Sequence, residues 1–360
     1  MNVLRRTPLL MLLLLTAGSS HAAGINIGIV APQEGNFATL GAEITAGANF
    51  QVQAQQNSTT VVDEPCTEDG GQAVAEALIT AKVQVAIGFL CSETLESALP
   101  RLKDAGIPVI TVSARSHILM EDALKNGWPL FRLAPVDTAE AAMATDTILK
   151  NWAAEPLALI DDGTIHGREL VGAIRTALEG KGLKPVFTDT FRPGQDQQIA
   201  LVRRLKKAGA TRVFIGGDRS DVAIIARDAQ SENVPLKLMG GDAMRAANQP
   251  VPLADGVQAI ALPDYASLPA AQAAMQTMRA GGIEPDGYIL PAAAAALIAN
   301  QAAESAKAEN KPVADKLIGT AFQTPIGPIT FGSNHELTDN PYRLLEWRGN
   351  AFVPLTAASN

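Results

Sequence analysis

The chain has 360 residues, 47% of them apolar and only 4% aromatic, and carries a formal net charge of −8. That charge argues against nucleic acid or an anionic membrane surface as a partner. Ala, Val, Ile and Leu supply the core, as helices packed on parallel strands require.

The first 22 residues read as a secretory signal peptide. Arg5 and Arg6 form a basic start, Leu9 to Leu15 a short apolar core, and Ser20-His21-Ala22 a small-residue cleavage site, so cleavage is expected after Ala22. The apolar run is too short to span a bilayer. No cysteine stands at the cleavage site, which argues against a lipid anchor, while the arginine doublet leaves twin-arginine export open. No later segment has 18 unbroken apolar residues. Leu290 to Ala306 is alanine-rich but carries Asn300, Gln301 and Glu304, and reads as a soluble helix. A mature chain of about 340 residues has room for two domains with their own cores.

The mature sequence alternates strongly between strand and helix patterns. Strand Ile25–Val30 is followed by helix Gly41–Gln56, strand Thr59–Asp63, helix Gly71–Thr80, strand Val85–Gly88, helix Leu95–Asp104 and strand Ile107–Thr111. A second series opens with helix Thr138–Trp152 and strand Leu157–Ile160, then helix Gly167–Lys181 and strand Pro185–Thr190. Helix Gln197–Lys207, strand Arg212–Ile215, helix Asp221–Ser231 and strand Leu236–Met239 complete it. Two β/α series predict an α/β protein of two doubly wound lobes with parallel sheets, whose ligand sites lie beyond the carboxyl ends of the strands. The boundary is expected at Leu133–Asp137. Helical patterns at Pro269–Ala280, Leu290–Ala308 and Val313–Gln323 are too few for a third domain and should return to cover the first lobe. Runs Tyr342–Trp347 and Ala351–Leu355 suggest a final hairpin on the second lobe. The expected division is a leader at 1–22, lobe 1 at 23–136 plus 266–341, and lobe 2 at 137–265 plus 342–360.

Val85 to Thr94 runs from an apolar strand through Leu90-Cys91-Ser92 into a helical pattern, a corner suited to holding an anion. Cys66 and Cys91 are the only cysteines. In an exported protein they suggest one disulfide, formed if the strands before them are neighbours; two free buried thiols are the alternative.

Taken in order, several segments resemble the type I periplasmic solute-binding proteins, specifically the leucine/isoleucine/valine-binding family that delivers amino acids to an ABC permease. They are Ile27 to Gly35 with Leu40-Gly41, Ile87 to Ser92 with Cys66, Gly106 to Ile110, Ala158 to Gly163 with His166-Gly167, Val213 to Gly217, Leu238 to Asp242, and Glu284 to Tyr288. The resemblance spans essentially the whole mature chain. It implies two lobes joined by a multi-strand hinge, a Cys66–Cys91 disulfide, a periplasmic monomer, no cofactor, and ABC permease membrane subunits as partners for a bound small molecule.

It also implies a site. Ser92, Ala114 and Ser116 would face the ligand's carboxylate and ammonium in lobe 1, with Ser116 where the family has threonine and Ala114 acting through its carbonyl. The plainer reading of Ser92 is a helix cap beside a disulfide, and one group can serve as both cap and ligand donor. Asp242 stands where the family pairs an acid with the ammonium, and otherwise is a loop aspartate. Tyr288 is retained. The chain departs from the family at Leu40 and His166, which replace aromatics, and at Asp218 and Arg219, which follow Gly216-Gly217; Arg115 and Glu34 add charge. Isolated charges are costly to bury. Either they lie on a solvated rim, or the ligand is a polar amino acid, an amide or a related small carboxylate.

Catalysis is not expected. The sequence has no Gly-x-Ser-x-Gly elbow, no His-Glu-x-x-His and no phosphate-binding glycine loop, and His21, His117, His166 and His335 have no metal spacing. His117 reads as a loop residue and His335 as part of a polar turn. A free-standing ligand sensor remains the alternative function: the leader stands where a DNA-binding helix-turn-helix would precede the lobes, and no membrane span follows them.

Overall fold

The computed structural model describes residues 24–55, 57–246 and 251–355. The proposed leader lies outside the described residues. Lobe 1 opens with β1 (Asn26–Ala31), α1 (Ala38–Ala54), β2 (Ser58–Asp63), α2 (Gly70–Thr80) and β3 (Val85–Gly88). It continues with α3 (Ser92–Asp104), β4 (Val109–Thr111), α4 (His117–Asn126) and β5 (Leu130–Arg132). The five strands form one sheet in the order β2-β1-β3-β4-β5, parallel throughout. Ile27, Ile29, Val85, Ile87 and Ile110 are all but inaccessible, as central strands covered by helices on both faces must be.

Lobe 2 is built from α5 (Ala139–Asn151), β6 (Leu157–Asp161), α6 (Ile165–Gly180), β7 (Phe187–Thr190) and α7 (Ile199–Lys207). After these come β8 (Arg212–Gly216), α8 (Arg219–Ser231), β9 (Lys237–Gly240) and β10 (Gln258–Ala261). The chain then returns to lobe 1 as α9 (Gln272–Ala280), α10 (Ile289–Glu309), α11 (Val313–Leu317) and the hairpin β11 (Phe322–Thr324) to β12 (Gly327–Ile329). It ends in β13 (Arg343–Arg348) and β14 (Ala351–Pro354), which add antiparallel strands to the β10 edge of the second sheet, β14-β13-β10-β9-β8-β6-β7. The chain therefore passes between the lobes three times.

Four details differ from the sequence-based expectations. The pattern at 313–323 is not one helix: Pro312 and Gly319 confine α11 to five residues, and strand β11 follows. His117 is the first residue of α4, not a loop residue, and neither this helix nor the three-residue β5 was expected from the sequence. The strands preceding the two cysteines are not neighbours, because β1 lies between β2 and β3. The loops beyond them still converge over the end of β1, and Cys66 and Cys91 are bonded with their Cα atoms 5.2 Å apart. Closing a loop of 25 residues in this way stabilises the fold by about 3 kcal/mol.

Helix α10 is the central column of lobe 1. Ala292 to Ala296, Ile298, Ala299 and Ala302 are buried, and the small side chains let its backbone approach α1 closely. Gly47 of α1 marks the closest approach, since a Cβ there would sit 2.1 Å from the carbonyl oxygen of Ile289. That obstacle is backbone and cannot rotate away. Gly47→Ala should therefore destabilise the protein by about 1–3 kcal/mol through overpacking. A thermal melt that leaves Tm unchanged would show that α1 and α10 have slack between them.

Candidate functional site

The carboxyl ends of the two sheets place the candidate residues on loops at the seam between the lobes. In lobe 1, Gly88 of β3 pairs with Thr111 of β4, so the loops that follow these strands run side by side. Thr111 joins them: its hydroxyl donates to the Phe89 carbonyl (3.1 Å) and accepts from the Ala114 amide (3.1 Å). Ser92 is the first residue of α3 and half-buried. Among the described residues its hydroxyl makes no hydrogen bond, and its amide is one of those that helix geometry leaves without an intrahelical partner. Ala114 is 3% exposed. Ser116 caps α4, its hydroxyl accepting from the Leu119 amide (3.3 Å), and its carbonyl accepts from Arg132 Nη1 (2.7 Å). Tyr288, at the start of α10, places its hydroxyl 3.2 Å from that of Ser113. Leu40 lies in the first turn of α1, half-buried, and Glu34 is fully on the exposed turn before it.

The Leu90–Ser92 corner already holds an anion of its own. Glu64, 2% exposed, accepts the amides of Leu90 (2.8 Å) and Cys91 (2.9 Å), one on each carboxylate oxygen. Burial pushes its carboxyl up to about 7, while the two amides oppose that rise and the nearby charges of Asp63 and Glu93 add to it. Ser92 follows these two amides at the start of α3.

In lobe 2, Asp242 follows β9. Its Oδ1 accepts the Leu262 amide (3.0 Å), which ties it to the second crossover, and Oδ2 accepts no hydrogen bond among the described residues. Its own amide donates to Glu140 Oε1 (2.8 Å). Glu140 on α5 is 6% exposed, and burial raises its carboxyl pKa. The Asp242 charge raises it further; His166 and Arg115 lower it. His166 is exposed in the first turn of α6, beyond the Thr164 cap. Asp218 is the exposed N-cap of α8.

Arg219 occupies a different place. It is 4% exposed, its guanidinium lies 4.2 Å over the Trp347 ring, and Nη1 donates to the carbonyls of Met244 (3.0 Å) and Ala246 (3.2 Å). The structure thus packs it into lobe 2 against β13, a partner far away in sequence, and does not gather it with the cleft residues.

Arg115 reaches across the seam, with Nη1 donating to the Tyr342 hydroxyl (3.2 Å). A chamber of about 290 Å³ opens there, lined by Arg115, Leu133, Arg245, Tyr265, Tyr288 and Ile326 among others. Ser92, Ser116 and Asp242 do not line this chamber. Of the candidate residues, Arg115 and Tyr288 do line it. Sequence reasoning missed Glu64, Glu140, Ser113, Arg245, Tyr265 and Tyr342. Only Glu64 had a local signal, an acid just before a cysteine at a strand end; the others are assembled by the crossovers.

Glu64 yields a pH prediction. Its pKa is about 7 folded against an ordinary 4.5. The stability linked to its proton is therefore fully present below the lower value and lost as pH rises through the upper one. The Tm of the wild type minus that of Glu64→Gln should fall between about pH 5 and about pH 8. A difference that stays flat with pH would contradict the placement of this carboxylate.

No helix among the described residues is long and apolar enough to cross a membrane. Residues 24–351 match the family model described as periplasmic binding protein. The chain is 25% identical to the Leu/Ile/Val-binding protein homolog 3 of Brucella melitensis, over 94% of this chain and 95% of that one. It is 24% identical to the leucine-, isoleucine-, valine-, threonine-, and alanine-binding protein of Pseudomonas aeruginosa, covering 92% of each chain. Among solved structures, a putative branched-chain amino acid ABC transporter from Rhodospirillum rubrum superposes with a TM-score of 0.79 at 17% identity, over 92% of this chain and all of that one. These relatives are binding proteins, not enzymes. Two doubly wound lobes, a seam lined by strand-end loops and a match across nearly the whole described chain lead to one conclusion: the chain belongs to the periplasmic binding protein family.

Proposed function

We propose that this protein binds an α-amino acid between its lobes in the periplasm and presents it to the membrane subunits of an ABC uptake system. One observation carries this reading. Complementary groups follow the carboxyl ends of strands in the two sheets: among the described residues, Ser92 has an unengaged hydroxyl at a helix start in lobe 1, and Asp242 an unengaged carboxylate oxygen in lobe 2. An amino acid offers a carboxylate to the first and an ammonium to the second. Ala114 and Ser116 sit beside Ser92 on the neighbouring strand-end loop, and Tyr288 covers the same wall.

Binding then works as a population shift. A ligand held by one lobe gains its remaining contacts only when the other lobe swings in, so its binding free energy favours the closed form. The permease recognises that closed surface. The names of the relatives, which bind leucine, isoleucine and valine, support an amino acid as the ligand class. His166 and Asp218, exposed on the lobe-2 rim, and Leu40 on the lobe-1 side contribute to the choice of side chain.

A thermal-shift series over the amino acids, followed by isothermal titration, tests the reading. Charge-assisted bonds are worth about 1.5–3 kcal/mol each, so Asp242→Ala should weaken binding by about tenfold or more. Unchanged affinity in that variant would remove Asp242 from the site.

A further inference from the structure

We infer that the ligand carries a second anionic group, taken between Arg115 of lobe 1 and Arg245 of lobe 2; this rests on the amino-acid reading above. Both arginines line the 290 Å³ chamber at the seam. At about 30 Å³ per water, that is on the order of ten water volumes, a space sized for one small molecule. Among the described residues neither arginine has a carboxylate within 4.0 Å. Arg115 is held by the Tyr342 hydroxyl, and burial raises the pKa of that phenol, so it stays neutral. Arg245 is held by the carbonyls of Leu262 and Pro263 (3.2 Å each). Every one of these bonds runs through a single nitrogen, Nη1. Among the described residues the other guanidinium N–H groups have no acceptor, although each guanidinium offers five donors in a fork that matches a carboxylate.

Closure makes this arrangement demanding. The two cations come from opposite lobes, so a movement that narrows the cleft brings like charges together and strips their water. Asp242 and Glu140 nearby offset part of that repulsion; a neutral side chain between the arginines adds nothing to this, whereas an anion removes the remainder and engages both forks. The carboxylates that line the same chamber do not take the place of that anion. Asp264 and Asp286 are exposed, as Arg115 and Arg245 are, but neither comes within 4.0 Å of those arginines, and each spends an oxygen on an amide of its own turn, those of Ala266 and Gly287. The rest of the wall, including Val112, Leu133, Leu262 and Ile326, suits a short methylene stem. The chemistry points to an acidic amino acid: an α-amino carboxylate for Ser92 and Asp242, an aliphatic stem, and a terminal carboxylate for the arginines.

The test is isothermal titration at low salt and neutral pH with four probes: L-glutamate, L-glutamine, L-leucine and glutarate. L-glutamate is expected to bind at least about tenfold more tightly than its isosteric amide, since a tenfold ratio is one charge-assisted bond's worth of discrimination. That preference should fall to near unity in the Arg115→Gln/Arg245→Gln double variant. It should persist in Arg203→Gln, whose guanidinium pairs with Glu232 outside the chamber. If the double variant does not fold, the wild-type ratio of glutamate to glutamine and its decline with added salt still decide. Leucine or glutamine binding as tightly as glutamate overturns the inference and leaves the amino-acid reading standing. Glutarate binding without any amino acid keeps the anion site and sinks the amino-acid reading. Binding of none of the four overturns both.

Discussion

The Arg132 guanidinium, fully buried at the end of β5, joins three parts of the molecule that must agree in position. Its Nε donates to Glu336 Oε2 (2.8 Å), its Nη2 pairs with the other oxygen of the same carboxylate, and its Nη1 donates to the Ser116 carbonyl. The Arg132 amide also donates to the His335 carbonyl, and the His335 ring stacks on Phe131 with centroids 4.3 Å apart. One charged group thus fixes the last strand before the first crossover, the cap of α4 beside the candidate site, and the turn that precedes the third crossover. A charge removed from water this completely is stable only while those partners stay in place, and removing one of them strands the rest. The pair has little scope for adjustment, so it holds the start of α4 and the end of β5 in one fixed relation.

The other half of that wall follows the same rule. Glu64 and the Cys66–Cys91 bridge clamp the backbone at Leu90 and Cys91 from below, by two hydrogen bonds and one covalent link. The anion-ready corner visible in the sequence is therefore shared. An internal carboxylate takes the amides of Leu90 and Cys91, and Ser92 follows them at the start of α3. In lobe 2, Glu140 plays the corresponding part behind Asp242 through the Asp242 amide. Each lobe thus holds its candidate loop from behind with a buried carboxyl group.

How much of this was legible in the sequence depended on range. The alternating β/α patterns follow from local burial, so the order of strands and helices in both lobes could be read from them. The antiparallel hairpin at Arg343–Arg348 and Ala351–Pro354 was visible as two apolar runs with a Gly-Asn turn between them. Short elements such as β5 and β11 escaped because three residues carry too little periodicity. The candidate site was legible only where a single loop carries it, as at Leu90-Cys91-Ser92 and at Asp242. Arg219 shows the limit: two positions after a double glycine, it read as a cleft residue, yet Trp347, 128 positions later, provides the surface it lies on. Arg115 meeting Tyr342, and Arg245 sharing a chamber with Tyr288, likewise depend on the three crossovers, which no local pattern encodes.

The account depends most on the idea that a ligand bridges two lobes able to move about those crossovers. Small-angle X-ray scattering from the full mature chain, with and without a saturating concentration of the amino acid that raises Tm most, measures this directly. A ligand held by both lobes predicts a smaller radius of gyration on binding. Tight binding with an unchanged scattering curve would mean that the ligand sits within one lobe, and the bridging role given to Ser92 and Asp242 would be wrong.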